Sequence, residues 1–579
     1  MNVAPLLVDS LKRMEYRGYD SAGIAIIEKG SILVRKGVGN VSNVTNKFDF
    51  DMMYGHTGIG HTRWATHGRV TNENAHPHHS CTNSIAIVHN GVIENHHDLR
   101  EELLGQGHIF RSDTDSEVIA HLLETYYNRQ QNIHKAMVDT CRRLKGAYAF
   151  VAAFEDGTIC GSRYDQPLII GTQDGGYFIS SDVLGFLKHT DKAIFLQNKD
   201  IAIIDSKSLQ IFDIEGNSVN REITQVAWEV SSTDKGRYAF HTLKEIHEQP
   251  AVVERAGSNN SEKIEEFCNI LRNSKSVYIT ASGTSYHCAL VAKYLLSNFA
   301  KIHCEATVSS EFQYTLGGID NSSVLLSFSQ SGETADVLEA VKAAKQAGSK
   351  ILSIVNIGTS SLARNSDSFL ELGCGPEVGV AATKSFTSQL SLIYAIVDRM
   401  CNYTLGFQTN KISLTEALGE VLDHKTKIQS IARKLRRARD IYLIGRSIHF
   451  PIALEGALKI KELSYIHAEG MVAGELKHGP LALIDKNTYV IVINPEDRTH
   501  DDNIVSAREI KARGATIIGI SNKPNEAYDI FLEIPYIDCP FLYPILEVLP
   551  LQILAYYLAL IKNIDPDYPR NLAKSVTVK

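Results

Sequence analysis

The second half of the chain is written twice. Val277-Tyr278-Ile279-Thr280 recurs as Ile441-Tyr442-Leu443-Ile444, Val324–Phe328 as Tyr489–Ile493, and Ile351–Asn356 as Ile517–Asn522; the offset is 164 from Tyr278 to Tyr442 and 166 from Asn356 to Asn522. Each copy alternates short uncharged apolar runs with amphipathic stretches. Such runs fit strands buried on both faces, and those strands need helices to cover them. The repeat predicts two doubly wound α/β domains with parallel sheets, a class that gathers ligands at the carboxyl ends of its strands.

The copies differ where a ligand would sit. In the first, the run Val324–Phe328 leads into Ser329-Gln330-Ser331-Gly332-Glu333-Thr334 and then a helical stretch, 335–346. A helix starting there points free N–H groups into a hydroxyl-rich turn, and Gly332 allows close backbone approach. Ser329, Gln330, Ser331 and Thr334, with Thr284 and Ser285 from a neighbouring strand end, make a candidate phosphate cradle. No lysine sits in the turn and GxxxxGK[ST] is absent, so a sugar phosphate fits better than a nucleoside triphosphate. An ordinary capped strand-to-helix turn would use the same residues. The second copy has Pro495-Glu496-Asp497 at this place, which repels phosphate, so only the first copy is expected to bind it. The second copy instead offers Glu455, Lys459 and Glu462 on one face of a helical stretch. They suit a solvated ion pair, but flanking Leu458, Ile460 and Leu463 argue for a packed helix with shifted pKa values.

Residues 1–208 mix predicted helices (3–14, 98–104, 115–127) with strands (23–27, 84–88, 147–154, 193–204), as in a layered α+β domain. Arg63 suits a carboxylate, Asp115 an ammonium, and Asn90 with the Gly91 N–H an oxyanion. Taken singly, these read as a surface pair, a cap and a turn, and only their combination points to a site. Residues 209–257 are expected to be a partly helical linker, followed by domains at 266–406 and 431–569 and a tail at 570–579. The charged residues, 59 basic and 66 acidic, are dispersed, which argues against a nucleic-acid partner. No apolar run is expected to reach membrane-spanning length and no signal-peptide pattern is present, so no membrane partner is expected. Nine scattered cysteines without CxxC fit reduced thiols of a cytoplasmic protein. Cys81 is read as structural. His76, His78 and His79 lack carboxylate or cysteine partners nearby, so no metal and no cofactor are expected.

Tyr16–Gly23 (YRGYDSAG), His61–Gly68 (HTRWATHG), the His89-Asn90-Gly91 turn and SDTDSEV from Ser112 together resemble the class II glutamine amidotransferase (Ntn-type) domain. Over the whole chain the likeness is to the isomerising glutamine:fructose-6-phosphate amidotransferase family, with its paired sugar-isomerase (SIS) domains. The resemblance implies synthesis of glucosamine 6-phosphate and glutamate, the entry to amino-sugar (UDP-GlcNAc) synthesis. It implies glutamine binding by Arg63, Trp64, Thr66, His67, Asn90, Gly91 and Asp115, with Trp64 also gating an ammonia channel. It implies a Schiff base on Lys574, proton transfer by Glu462 assisted by Lys459, and Val380 near the sugar. His478 would assist ring opening from a neighbouring subunit, which makes a homodimer. The family opens with a nucleophilic cysteine on a leading strand, whereas this sequence opens Met1-Asn2-Val3-Ala4. No N-terminal nucleophile is therefore identified; the chain as written is expected to use ammonia, and to leave a sheet edge bare. The alternatives are a fructosamine-phosphate deglycase and a non-catalytic sugar-phosphate sensor.

Overall fold

The computed structural model describes every residue except 1, 66–67, 206–207, 227–233, 259–260 and 578–579. It forms two compact units: Met1–Ser232 with Ser575–Lys579, and Thr233–Lys574.

In the first unit, side-chain alternation builds the layers. Along the strand Ile85–Gly91, Ile85 and Ile87 pack on the helices Glu117–Gln130 and Ile133–Arg143, whereas Ala86 and Val88 pack toward Ala25 and Ile59 of a second sheet. The adjoining strand Tyr148–Phe154 repeats this with Phe150 and Ala152 on one side and Ala149 and Val151 on the other. A period of two lets one sheet bury both faces. The second sheet is antiparallel, with strands Ser31–Val38, Ser21–Glu28 and Thr57–Arg63 in that order, and its Ile24 and Ile26 pack on Val8 and Leu11 of the helix Ala4–Met14. The result is helix, sheet, sheet, helix, with Thr57–Arg63 as an edge strand.

Three expectations change. The run 193–204 is two strands, Lys192–Phe195 and Ile201–Ile204, in different sheets. The Asp200 carboxylate accepts from the Gln197 N–H (2.7 Å) and closes the turn between them. Residues 209–257 are not a simple linker: Leu209–Phe212 and Ile223–Gln225 complete sheets of the first unit, and helices His241–His247 and Gln249–Arg255 belong to the second. Among the described residues one apolar run does reach membrane-spanning length, at Pro540–Ile561, but 83% of its most apolar 18-residue window is buried inside the protein. It is a core helix, packed among residues of both repeats, which explains its uniform hydropathy.

The repeats of the second unit fold alike. The first sheet runs Cys304–Val308, Ser276–Ala281, Ser323–Ser329, Lys350–Val355, Ser368–Glu371, and the second His467–Val472, Asp440–Gly445, Tyr489–Ile493, Thr516–Ser521, Ile530–Glu533, all parallel. In chain order this is 2-1-3-4-5, so the strand order reverses between the first and third strands, and a crevice opens at their carboxyl ends. In the first copy that crevice lies between the ends Ala281 and Ser329. In the second it holds His449, whose Nε2 meets Asp497 Oδ2 at 3.1 Å and whose Nδ1 meets Glu547 Oε2 at 3.0 Å. Burial opposes charge on this imidazole, yet the Glu547 and Asp497 carboxylates outweigh it and raise the pKa to about 9.

A histidine raised in the folded state contributes stability that is whole below its unfolded pKa of about 6.5 and is lost as pH rises through the folded value. Calorimetric melting of the second unit should therefore weaken between about pH 6.5 and about 9. The His449→Gln variant should be less stable at neutral pH and should lack that part of the slope.

Candidate functional site

The first unit encloses a cavity of about 930 Å³ bordered by Arg63, Trp64, Asn90, Gly91 and Asp115. Five of the seven residues expected to hold glutamine thus share one space; Thr66 and His67 lie outside the described residues. Strand ends deliver them. Arg63 closes Thr57–Arg63, and Asn90 and Gly91 close Ile85–Gly91. Arg63 is buried, and burial pulls its pKa below the usual range although Asp20 and Asp115 partly offset this. Asp115 is fixed by the Ile93 N–H, which donates to Oδ2 at 2.8 Å. Gly91 has φ +116, and a Cβ there would lie 2.0 Å from the Ala147 carbonyl oxygen, so no other residue fits.

Asn90 Oδ1 lies 2.9 Å from His61 Nε2. Burial depresses the His61 pKa to about 4, so the imidazole is neutral and its Nε2–H donates to Oδ1. The Asn90 Nδ2, a donor only, is then the atom turned to other partners. Among the described residues, no cysteine borders the cavity. His76 and His78 pack ring to ring, and His76 stacks on His61.

In the second unit the first repeat carries the hydroxyl turn. Thr334 is the residue before the helix Ala335–Gln346 but does not cap it; its Oγ1 meets Ser329 Oγ at 3.1 Å instead. Gly332 N–H donates to Ser329 Oγ (3.0 Å) and Glu333 N–H to Ser331 Oγ (3.2 Å). The turn is thus a ring of small donors around the helix start. Gly332 sits at φ +66, and a Cβ would lie 2.1 Å from Ser360 Oγ. From the neighbouring strand, Thr284 Oγ1 donates to Glu455 Oε1 (3.2 Å), and Gln389 Nε2 donates to Ser285 Oγ (2.9 Å).

The charged groups of the second repeat converge on the same region. On the helix Phe450–Ser464, Lys459 is fully buried, pairs with Glu462, and lies 3.5 Å from Glu455. Its ammonium would be destabilised by burial, but Glu462 and Glu455 together raise its pKa. The solvated-helix reading of these residues is therefore set aside. Lys574, in the tail, is buried too. It donates to Gly379 O (2.8 Å) and pairs with the Glu377 carboxylate, next to Val380, whose N–H donates to Asp567 O (3.1 Å). His478 lies exposed at the end of the 3-10 helix Ala473–His478, and no hydrogen bond among the described residues joins it to this group.

Sequence reasoning missed Glu377 and Asn356. Glu377 accepts from the Thr383 and Ser385 N–H groups (2.9 and 3.0 Å) at the start of the helix Lys384–Met400. Burial works against its charge, but Lys574 and these donors lower its pKa to about 2. Glu245, beside it, is pushed up to about 8 by burial and by the Glu377 charge. Asn356 links turn to tail: its N–H donates to Gln330 O (3.2 Å) and its Nδ2 to Gly375 O (2.8 Å), two residues before Glu377. The one signal available was a lone carboxylate in a glycine-rich, otherwise uncharged stretch, CGPEVGVAAT.

Comparison with known proteins agrees with the two kinds of domain. A family model described as a SIS domain matches residues 270–399 and 434–562, and one described as a glutamine amidotransferase domain matches 61–188. A glutamine–fructose-6-phosphate aminotransferase (isomerizing) of Pyrococcus horikoshii is 43% identical over 99% of this chain and 98% of its own. One from Methanothermobacter thermautotrophicus is 41% identical over 100% and 98%. The solved C-terminal domain of a glucosamine-fructose-6-phosphate aminotransferase from Francisella tularensis is 34% identical, covers 58% of this chain and 99% of its own, and superposes with a TM-score of 0.51.

Gly332→Ala tests the turn directly. The added methyl must occupy a left-handed conformation and displace Ser360, at a cost of about 1–3 kcal/mol. The variant should remain folded by circular dichroism and lose binding of a phosphorylated hexose by titration calorimetry.

Proposed function

This chain belongs to the isomerising glutamine–fructose-6-phosphate aminotransferase family, and from that premise we propose how its own residues perform the reaction. The observation that carries the reading is the burial of Lys574 against Glu377, on a loop tied through Asn356 to the turn Ser329–Thr334.

In this reading the phosphate of fructose 6-phosphate rests on Ser329, Gln330, Ser331 and Thr334, with Thr284 and Ser285 closing the other side of the crevice. Hydroxyls and helix N–H groups hold such a dianion without a lysine. His478 assists ring opening. The Lys574 amine adds to the C2 carbonyl and water leaves, forming a C=N bond. The amine must be unprotonated to attack, and Glu377 is the carboxylate within reach of its proton. Ammonia then adds at C2 and the lysine amine departs. Glu462, steadied by Lys459, takes a proton from C1 and returns one to C2, which gives the aldose amine. Val380 packs against the sugar. On the glutamine side, Arg63 and Asp115 hold the α-carboxylate and α-ammonium, and Asn90 Nδ2 with the Gly91 N–H stabilises the tetrahedral oxyanion. Trp64 completes that pocket.

Glucosamine 6-phosphate formation from fructose 6-phosphate and free ammonia isolates the sugar half. Lys574→Ala should lower it by at least about a thousandfold while fructose 6-phosphate still binds. Retained turnover would remove the imine from the mechanism.

The exposure of His478 supports a homodimer in which each site borrows this side chain from its partner. Nine unpaired cysteines are compatible with a cytoplasmic setting. Mixing the inactive variants Lys574→Ala and His478→Ala should restore about a quarter of the activity, because half of randomly paired dimers then carry one intact site. No recovery, in mixtures shown to exchange subunits, would place His478 in its own chain's site.

A further inference from the structure

We propose that the first unit binds one divalent cation of zinc type through Cys81 Sγ, His108 Nδ1, His121 Nδ1 and Glu124 Oε2, and that this cation clamps the segment carrying Asp115. The proposal does not depend on the reaction described above, and it departs from the sequence expectation of a structural Cys81 and no metal.

The four atoms come from three separate parts of the chain. Cys81 follows the strand His78–His79, His108 follows the helix His96–Gly105, and His121 and Glu124 are one turn apart on Glu117–Gln130. Sγ lies 3.5 Å from His108 Nδ1 and 3.4 Å from His121 Nδ1, and the two nitrogens are 3.3 Å apart. Glu124 Oε2 lies 3.4 Å from His108 Nδ1 and 4.0 Å from His121 Nδ1, and all four atoms fall within 4.8 Å of one another. A tetrahedral zinc with bonds of about 2.0–2.3 Å spans edges of about 3.3–3.6 Å.

The hydrogen bonds around the cluster decide which atoms point inward. The Thr125 hydroxyl donates to His121 O (3.0 Å), so it accepts from His108 Nε2–H (2.9 Å). A neutral His108 then has a lone pair, and no proton, on Nδ1. His121 Nε2 faces Glu117 Oε1 at 3.5 Å. Burial opposes charge on this ring, but Glu117 and Glu124 outweigh it and raise the His121 pKa, and a cation at Nδ1 takes the place of the proton there. Two imidazole nitrogens, a carboxylate oxygen that also accepts from the Cys81 N–H (3.1 Å), and a sulfur therefore meet in one place. A cation serves all four, with the thiol proton and that on His121 Nδ1 released to solvent on binding.

The surroundings are those of a held metal. Ile109 N–H donates to Sγ (3.3 Å), and Glu124 Oε1 accepts from Thr82 N–H (2.9 Å) and Thr82 Oγ1 (2.6 Å). Such outer contacts fix the ligands in place. Thiolate and imidazole select zinc over magnesium or calcium, and four protein ligands leave no open position, which makes the site structural rather than catalytic. Its leverage is through Glu117. That carboxylate faces His121 on one side, and on the other accepts from Arg111 N–H (2.8 Å), Ser112 N–H (2.7 Å) and Ser112 Oγ (2.7 Å), just ahead of Asp115.

The test is the zinc content of the full-length protein, produced with zinc and desalted, measured by plasma mass spectrometry, together with the absorption spectrum of the cobalt(II) form. We expect one equivalent, a thiolate-to-cobalt charge-transfer band, and a melting temperature lowered by a chelator. Cys81→Ser and, should that variant not fold, His108→Gln should each weaken retention by at least about tenfold and lose the chelator effect. A folded wild-type chain without bound metal would overturn the proposal. So would equal retention in both variants, or a cobalt spectrum without the thiolate band.

Discussion

A carboxylate taken out of water must meet a positive charge or a set of donors, because removing either partner of a buried ion pair costs about 3–5 kcal/mol. Glu377 is buried and has both: backbone N–H groups of a helix start on one side and Lys574 on the other. This contact brings the last stretch of the second unit back to the first repeat, and it holds the loop 375–380 in a form that Asn356 can join to the hydroxyl turn. The remaining charges follow from it. Glu245 yields to the Glu377 charge and holds its proton up to about pH 8, while Lys384 is matched by Glu248 at 2.6 Å.

Duplication supplied two equal crevices, and charge made them unequal. Both sheets have the same strand order and the same reversal between first and third strands. In the first copy, hydroxyls and backbone N–H groups line that place. In the second, Asp497 and Glu547 hold His449 between them and fill the crevice with a charge-paired cluster. The helix Phe450–Ser464 then reaches across from the second copy, and Glu455 bonds Thr284 and His287 of the first. One copy therefore offers a hydroxyl-rich turn, and the other lends carboxylates and an ammonium to the edge of its crevice.

Much of this was legible before any coordinates. The repeat, its strands and the layered α+β unit follow from apolar periodicity, which is a property of neighbouring residues. Ser329–Thr334 and Thr284–Ser285 were legible as well, because they sit at strand ends whose location the repeat fixes. The strand boundary at 197–200 and the strands at 209–212 and 223–225 were not, since a turn made by one aspartate and a strand of three or four residues leave little periodic trace.

The sequence by itself determined the architecture and the family, because these are carried by local pattern and motif. Only the tertiary structure decided which charges meet. Glu377 and Lys574 stand 197 positions apart, and Cys81 and Glu124 stand 43 apart. No periodicity links such positions. Folding brings them together, and burial, by withdrawing the water that would otherwise screen each charge, makes the pairing obligatory.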